Sequence, residues 1–190
     1  MKQSEILEIL IQRFNEMKSD VSKTFYYSDE ESLSIKPSEK RWSALQCFEH
    51  MNLTNDYYLK QLSSSLEQDQ TDFVDKAYQP SFLKNFMVEG MKPKNGNISN
   101  KIKTFKSVKP LAEREIGAIV KSKVVFADFF EDLDRLVLIA EEFKRIDGQR
   151  IKVNTLLGPI LKMKGIDALR FLLAHNERHL LQAKNALEGF

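Results

Sequence analysis

The chain is poor in the residues that staple, bend or anchor a polypeptide. Its one cysteine, Cys47, cannot form an intrachain disulfide, which excludes a disulfide scaffold and suits a reducing cytoplasm. Seven glycines and five prolines are all that 190 residues contain, concentrated between apolar-periodic segments, and no Rossmann-type glycine pattern occurs. No apolar run approaches the roughly 18 residues that suggest a membrane span. The opening MKQSEILEILIQRFNEMKSD lacks the basic leader, apolar run and small-residue cleavage site of a secretory signal. A strong charge of one sign is also missing. The 29 basic and 27 acidic residues leave a net charge of +2, so no overall field draws the protein to nucleic acid or membrane. The expectation is a soluble cytoplasmic protein.

What is present is helical periodicity. Ile6, Leu10, Phe14 and Met17 recur at i+3 and i+4 steps and predict a first helix over about Gln3 to Ser19. The polar SDEESLSIKPSEK stretch marks a connection, and Ser38 or Ser43 is a candidate cap for the next helix. That second helix carries Leu45, Phe48, Leu53, Tyr57 and Leu62. A third pattern begins after Pro110, includes Ile116, Ile119, Val120, Phe126, Phe130, Leu133 and Leu136, and stops before Asp147-Gly148. A fourth starts near Gly165 and reaches the C-terminus. These segments predict an all-α fold, an up-and-down four-helix bundle in a single domain over residues 1–190.

Between the second and third helices, Phe82 to Val108 breaks the pattern and is expected to hold a short extra helix and a basic loop. No acidic residue falls between Glu89 and Glu113, whereas Lys92, Lys94, Lys101, Lys103, Lys106 and Lys109 do. The loop reads either as a solvated excursion or as a rim that attracts an anionic substrate. Phe105 alone interleaves the lysines, which speaks against a single-strand nucleic-acid platform.

Only three histidines occur, and all lie in helical segments: His50 in the second, His175 and His179 as H-x-x-x-H in the fourth. Residues four apart share a helix face, so His175 and His179 can address one centre, and the stripe that holds them, with Ala168, Leu172, Gln182 and Ala186, faces the interior. His50 shares a stripe with Cys47 and Tyr57. Neutral imidazole is a good ligand for first-row metals, and three with an open fourth position describe a catalytic site. The competing reading is three hydrogen-bonded core histidines, and the residues alone leave both open. Neither H-E-x-x-H nor a nucleophile-elbow serine is present. Cys47 is either a metal-directed thiol or a small buried hydrophobe, and Trp42 either a packing anchor or a substrate stacker.

The segment KPSEKRWSALQCFEHM resembles the W-S … H region that opens the second helix of the DinB-like, DNA-damage-inducible helical bundles, which are unrelated to the polymerase of that name. LGPILKMKGIDALRFLLAHNERHLLQAKNAL is similar to that family's closing region, with His175, His179, Leu180 and Gln182 standing for H-x-x-x-H-L-x-Q. Met51 replaces a frequent leucine, a volume-conserving change. The resemblance implies a four-helix bundle, commonly a homodimer, in which His50, His175 and His179 hold a divalent metal such as zinc or nickel. It also implies relatives that join a low-molecular-weight thiol (bacillithiol, mycothiol or glutathione) to electrophiles, or isomerise maleylpyruvate. The leading expectation is a metal-dependent thiol S-transferase, with the lysine-rich loop, Arg170 or Arg178 binding cosubstrate carboxylates. The alternatives are a metal-dependent hydrolase of a small substrate and a non-catalytic, stress-response metal-binding bundle.

Overall fold

The computed structural model describes residues 1–68, 75–98, 103–114 and 120–189. It is mostly helical, with one two-stranded sheet. The elements are α1 (Gln3–Thr24), α2 (Glu30–Ser34), α3 (Ala44–Gln68), α4 (Phe82–Met91), α5 (Leu111–Arg114), α6 (Ser122–Phe143), β1 (Lys152–Thr155), β2 (Gly158–Lys164) and α7 (Gly165–Leu187). A 3-10 turn, Lys106–Val108, precedes α5. No helix among the described residues is long and apolar enough to cross a membrane.

The long helices are held by the stripes their sequences carry. Leu7, Leu10, Phe14, Met17 and Val21 form one buried face of α1, and because Val21 and Phe25 continue that face the helix runs past Ser19 to Thr24. Ser43 caps α3 reciprocally: its hydroxyl accepts from the Gln46 N–H at 3.2 Å, and Gln46 Oε1 accepts from the Ser43 N–H at 3.1 Å. Gln3 donates from one amide to the Phe143 and Ile146 carbonyls, each at 2.7 Å, tying the start of α1 to the end of α6 and the turn that follows it.

These contacts also give the helix directions. Gln3 meets the end of α6 and Tyr26 meets Phe126 near its start, so α1 and α6 are antiparallel. Arg13 reaches Glu177 and Lys184 reaches Asp20, so α1 and α7 are parallel. His50 meets His179 while Tyr58 meets Phe171, so α3 and α7 are antiparallel. It follows that α3 and α6 point the same way, and the four long helices do not alternate as the up-and-down expectation had it. The cause is the connection between them, which is long enough to return the chain to the end of the molecule where α3 began. Part of it is the expected short helix, α4. Ile116 and Ile119, assigned to the third helix from sequence, and Lys101 of the basic loop lie outside the described residues. Among the described residues α6 itself starts at Ser122.

The hairpin corrects the all-α expectation. Ile151, Val153 and Thr155 are buried and alternate with Lys152 and Asn154, a period-2 pattern, and Gly158 takes φ +110° at the turn. Lys152 pairs with Lys164 and Val153 with Met163 in antiparallel register. The hairpin docks on α3, where Gln61 Oε1 accepts from the Asn154 N–H at 2.8 Å, and it delivers the chain into α7 at Gly165.

Gly165 is required by close approach. A Cβ there would stand 2.7 Å from the Phe143 ring and 3.1 Å from Ile151. Gly165→Ala is therefore expected to cost about 1–3 kcal/mol through overpacking, seen as a melting temperature lower by roughly 3–10 °C. Gly90→Ala in α4, where nothing lies within 4 Å, is the control and should not lower it.

Candidate metal centre

Three helical turns bring the candidate ligands together. His50 follows the capped start of α3, and His175 and His179 lie one turn apart on the most buried helix, α7. Antiparallel packing of α3 on α7 brings the His50 ring against the other two, steeply inclined to both, with centroids 4.9 Å apart for His50 and His175 and 4.5 Å for each of the other two pairs. One ligand nitrogen from each lies within 4.8 Å of the others, and all three residues are buried. This is the one such cluster of histidine, cysteine or carboxylate groups among the described residues.

The hydrogen bonds define which nitrogens face inward. His50 Nδ1 lies 2.6 Å from the Val108 carbonyl, which can only accept, so Nδ1 carries the proton and Nε2 the lone pair. His179 Nδ1 lies 3.0 Å from Gln182 Oε1, which leaves its Nε2 as the lone-pair atom by the same logic. The Nε2 atoms of His50 and His175 are 3.1 Å apart. Without a cation, His175 must place its proton on Nε2 to avoid lone-pair repulsion, and His175 Nδ1, which is buried, has no hydrogen-bond partner.

Burial depresses the basicity of all three rings. The His50 imidazole is lowered to about 4 by desolvation, against a smaller opposite pull from the Val108 carbonyl. His175 and His179 are held well below the usual range by burial first and by the neighbouring rings second. Neutral imidazoles are what metal ligation needs, and for His50 and His179 the outer nitrogen is also bonded to an oxygen acceptor. Tetrahedral bonds of about 2.0–2.1 Å place ligand nitrogens roughly 3.3–3.5 Å apart, within the span this cluster already has. The donor set fits a divalent ion.

The surroundings separate the other sequence candidates. Trp42 packs on the centre itself, its ring 4.9 Å from His50 and 6.0 Å from His179, and it donates to Glu113 Oε1 at 2.7 Å. Phe171 stacks on His175 at 5.8 Å. Cys47 is fully buried outside the cluster, and burial pushes its thiol far above the usual range, so it is a packed hydrophobe rather than a nucleophile. Glu177 points away and binds Arg13 at 2.6 Å, and Glu49 accepts from the Leu111 N–H. Arg170 is committed to Tyr78 and Asn85, and Lys92 and Lys109 pair with Glu89 and Glu113. Arg178 is buried close enough for its charge to lower both α7 histidines. Sequence reading did not find the Val108 carbonyl or Glu113, because both come from the connection and neither belongs to a motif.

The fold and centre thus define a helical protein whose three buried imidazoles, one from α3 and two from α7, can hold a metal ion. The DinB superfamily model matches residues 11–183, and the chain belongs to that superfamily. No curated protein and no solved structure matches it.

The histidine shifts have a sign that can be measured on metal-free protein. A histidine whose folded basicity is depressed leaves stability unaffected above about pH 6.5 and removes it as the unfolded chain takes up protons below that, about 1.4 kcal/mol per pH unit for each ring. Asp132, raised by burial to about 7, acts with the opposite sign, since the folded form keeps its proton while the unfolded form loses it. The urea-unfolding free energy of chelator-treated Asp132→Asn protein should therefore fall steadily from pH 6.5 towards 4, and adding His50→Asn should reduce that slope by about one proton.

Proposed function

We propose that the chain is a divalent-metal-dependent enzyme that joins a low-molecular-weight thiol to a small electrophile, with His50, His175 and His179 holding zinc or nickel. The observation that carries the reading is the composition of the cluster: three neutral imidazoles and, among the described residues, no carboxylate or thiolate. A structural zinc site is ordinarily completed by a fourth protein ligand. Here three neutral ligands leave the full charge of a divalent ion uncompensated, which favours an anionic fourth ligand from outside. A metal so held would lower the pKa of a bound thiol and supply thiolate at neutral pH. A hydrolytic reading also needs a general base, and among the described residues none belongs to the cluster.

The chain's own residues supply the rest. The Val108 carbonyl and Gln182 keep the His50 and His179 rings in the tautomer that presents Nε2. Trp42 and Phe171 wall the centre with aromatic surface that excludes water and suits a small apolar electrophile. The buried Arg178 adds positive potential that favours an anionic sulfur or a cosubstrate carboxylate.

Plasma mass spectrometry of the purified protein beside a His175→Ala/His179→Ala variant is the decisive first test. Near-stoichiometric zinc or nickel is expected in the wild type and none in the variant. With metal restored, conjugation of bacillithiol or glutathione to an aryl halide should be at least about a hundredfold faster than in the variant. Turnover of ester substrates without any thiol, and no conjugation with it, would replace this reading by hydrolysis.

A further inference from the structure

The described part of the connection before α6 supplies no ligand, yet it is tied at three points to the start of α3, where His50 stands. The Val108 carbonyl lies 2.6 Å from His50 Nδ1, the Leu111 N–H donates to Glu49 Oε1 at 3.2 Å, and Glu113 Oε1 accepts from Trp42 Nε1 at 2.7 Å. Val108 and Pro110 are buried against the protein between those tethers. Lys109 braces the last of them by pairing with Glu113 at 3.2 Å.

We propose that residues 106–113 form a clamp that positions His50, latched by Trp42 and Glu113, and that closure of the clamp and occupancy of the centre reinforce each other. The inference rests on the reading of His50, His175 and His179 as metal ligands. A cation on Nε2 polarises the ring and strengthens the Nδ1–H bond to the Val108 carbonyl, so metal binding holds the clamp shut. Coupling is reciprocal, so a clamp held shut by its latch raises metal affinity. Trp42 and Glu113 are on this account positioning residues. Both act on His50 without supplying a ligand nitrogen, and the Glu113 bond holds the Trp42 ring that also walls the centre.

Trp42 is the only tryptophan in the chain, so its emission reports directly on this corner of the molecule. Zinc titration of the metal-free protein, followed by that emission and by competition with a chromogenic chelator, should give saturable one-to-one binding. Glu113→Ala should weaken it roughly tenfold, the loss expected for one hydrogen bond with a charged acceptor. Glu113→Gln, which keeps an acceptor oxygen for the indole, should recover most of that loss. Independently of any variant, amide hydrogen exchange at Leu111 in the wild type should slow when zinc is added. Equal zinc affinity in wild type and Glu113→Ala, or a Leu111 amide indifferent to zinc, overturns the clamp while leaving the metal centre standing. Failure of the wild type to bind zinc at all removes the metal reading, and the clamp with it.

Discussion

Everything in this molecule answers to the cost of placing three imidazole rings in a protein interior. Each ring brings a donor and an acceptor into a medium where an unpaired polar atom is expensive. The structure meets the demand outside the ring cluster with a backbone carbonyl from Val108 and an amide oxygen from Gln182. Inside the cluster the Nε2 atoms converge, and His175 Nδ1 is left without a partner. That arrangement is poor for an apolar core and good for a cation, and it accounts for helices, connection and aromatic walls alike being organised around one point.

The same corner shows how little of a site belongs to its ligands. His175 and His179 need only a helix to be neighbours, but His50 reaches them because α3 packs antiparallel on α7, from a start set by the Ser43–Gln46 capping pair. Its tautomer then depends on a connection more than fifty residues away in sequence, as the Val108 contact spans 58 positions. A polar layer lies deeper between the same helices. Asn176 donates to Asn55 at 3.1 Å, with the buried Asp132 of α6 beside Asn55. Polar atoms in that layer, including Thr54 Oγ1 and Asn176 Oδ1, have no partner. Such a layer detracts from stability and favours one register of the helices over its slipped alternatives, because only one register pairs the amides.

The hairpin has a related part in the architecture. Packing of Ile151, Val153 and Met163 inward closes the end of the bundle where α3 and α6 finish, and Gly165 lets α7 begin in contact with Phe143. A side chain at that position would push α7 away from α6, and the histidines sit on the same rigid helix. The register of the centre is thus linked to packing at the far end of α7.

The four long helices were legible in the chain because a buried helix face repeats every three to four residues, and Leu7 to Val21 or Phe126 to Leu136 show that repeat without any partner. The three ligand candidates were legible as well, since histidine is scarce and its i, i+4 spacing fixes a common face. The hairpin was missed although Ile151, Val153 and Thr155 alternate, because so short a run between helices is a weak signal beside the long helical periods around it. Helix direction, the tautomers of His50 and His179, the inertness of Cys47 and the place of Trp42 against the imidazoles lay beyond reach. Helices, buried faces and the identity of the rings follow from neighbours within one or two turns, so the chain alone reveals them. A proton's location, a thiol's acidity and the direction of a helix are set by distant groups that meet only in the folded molecule.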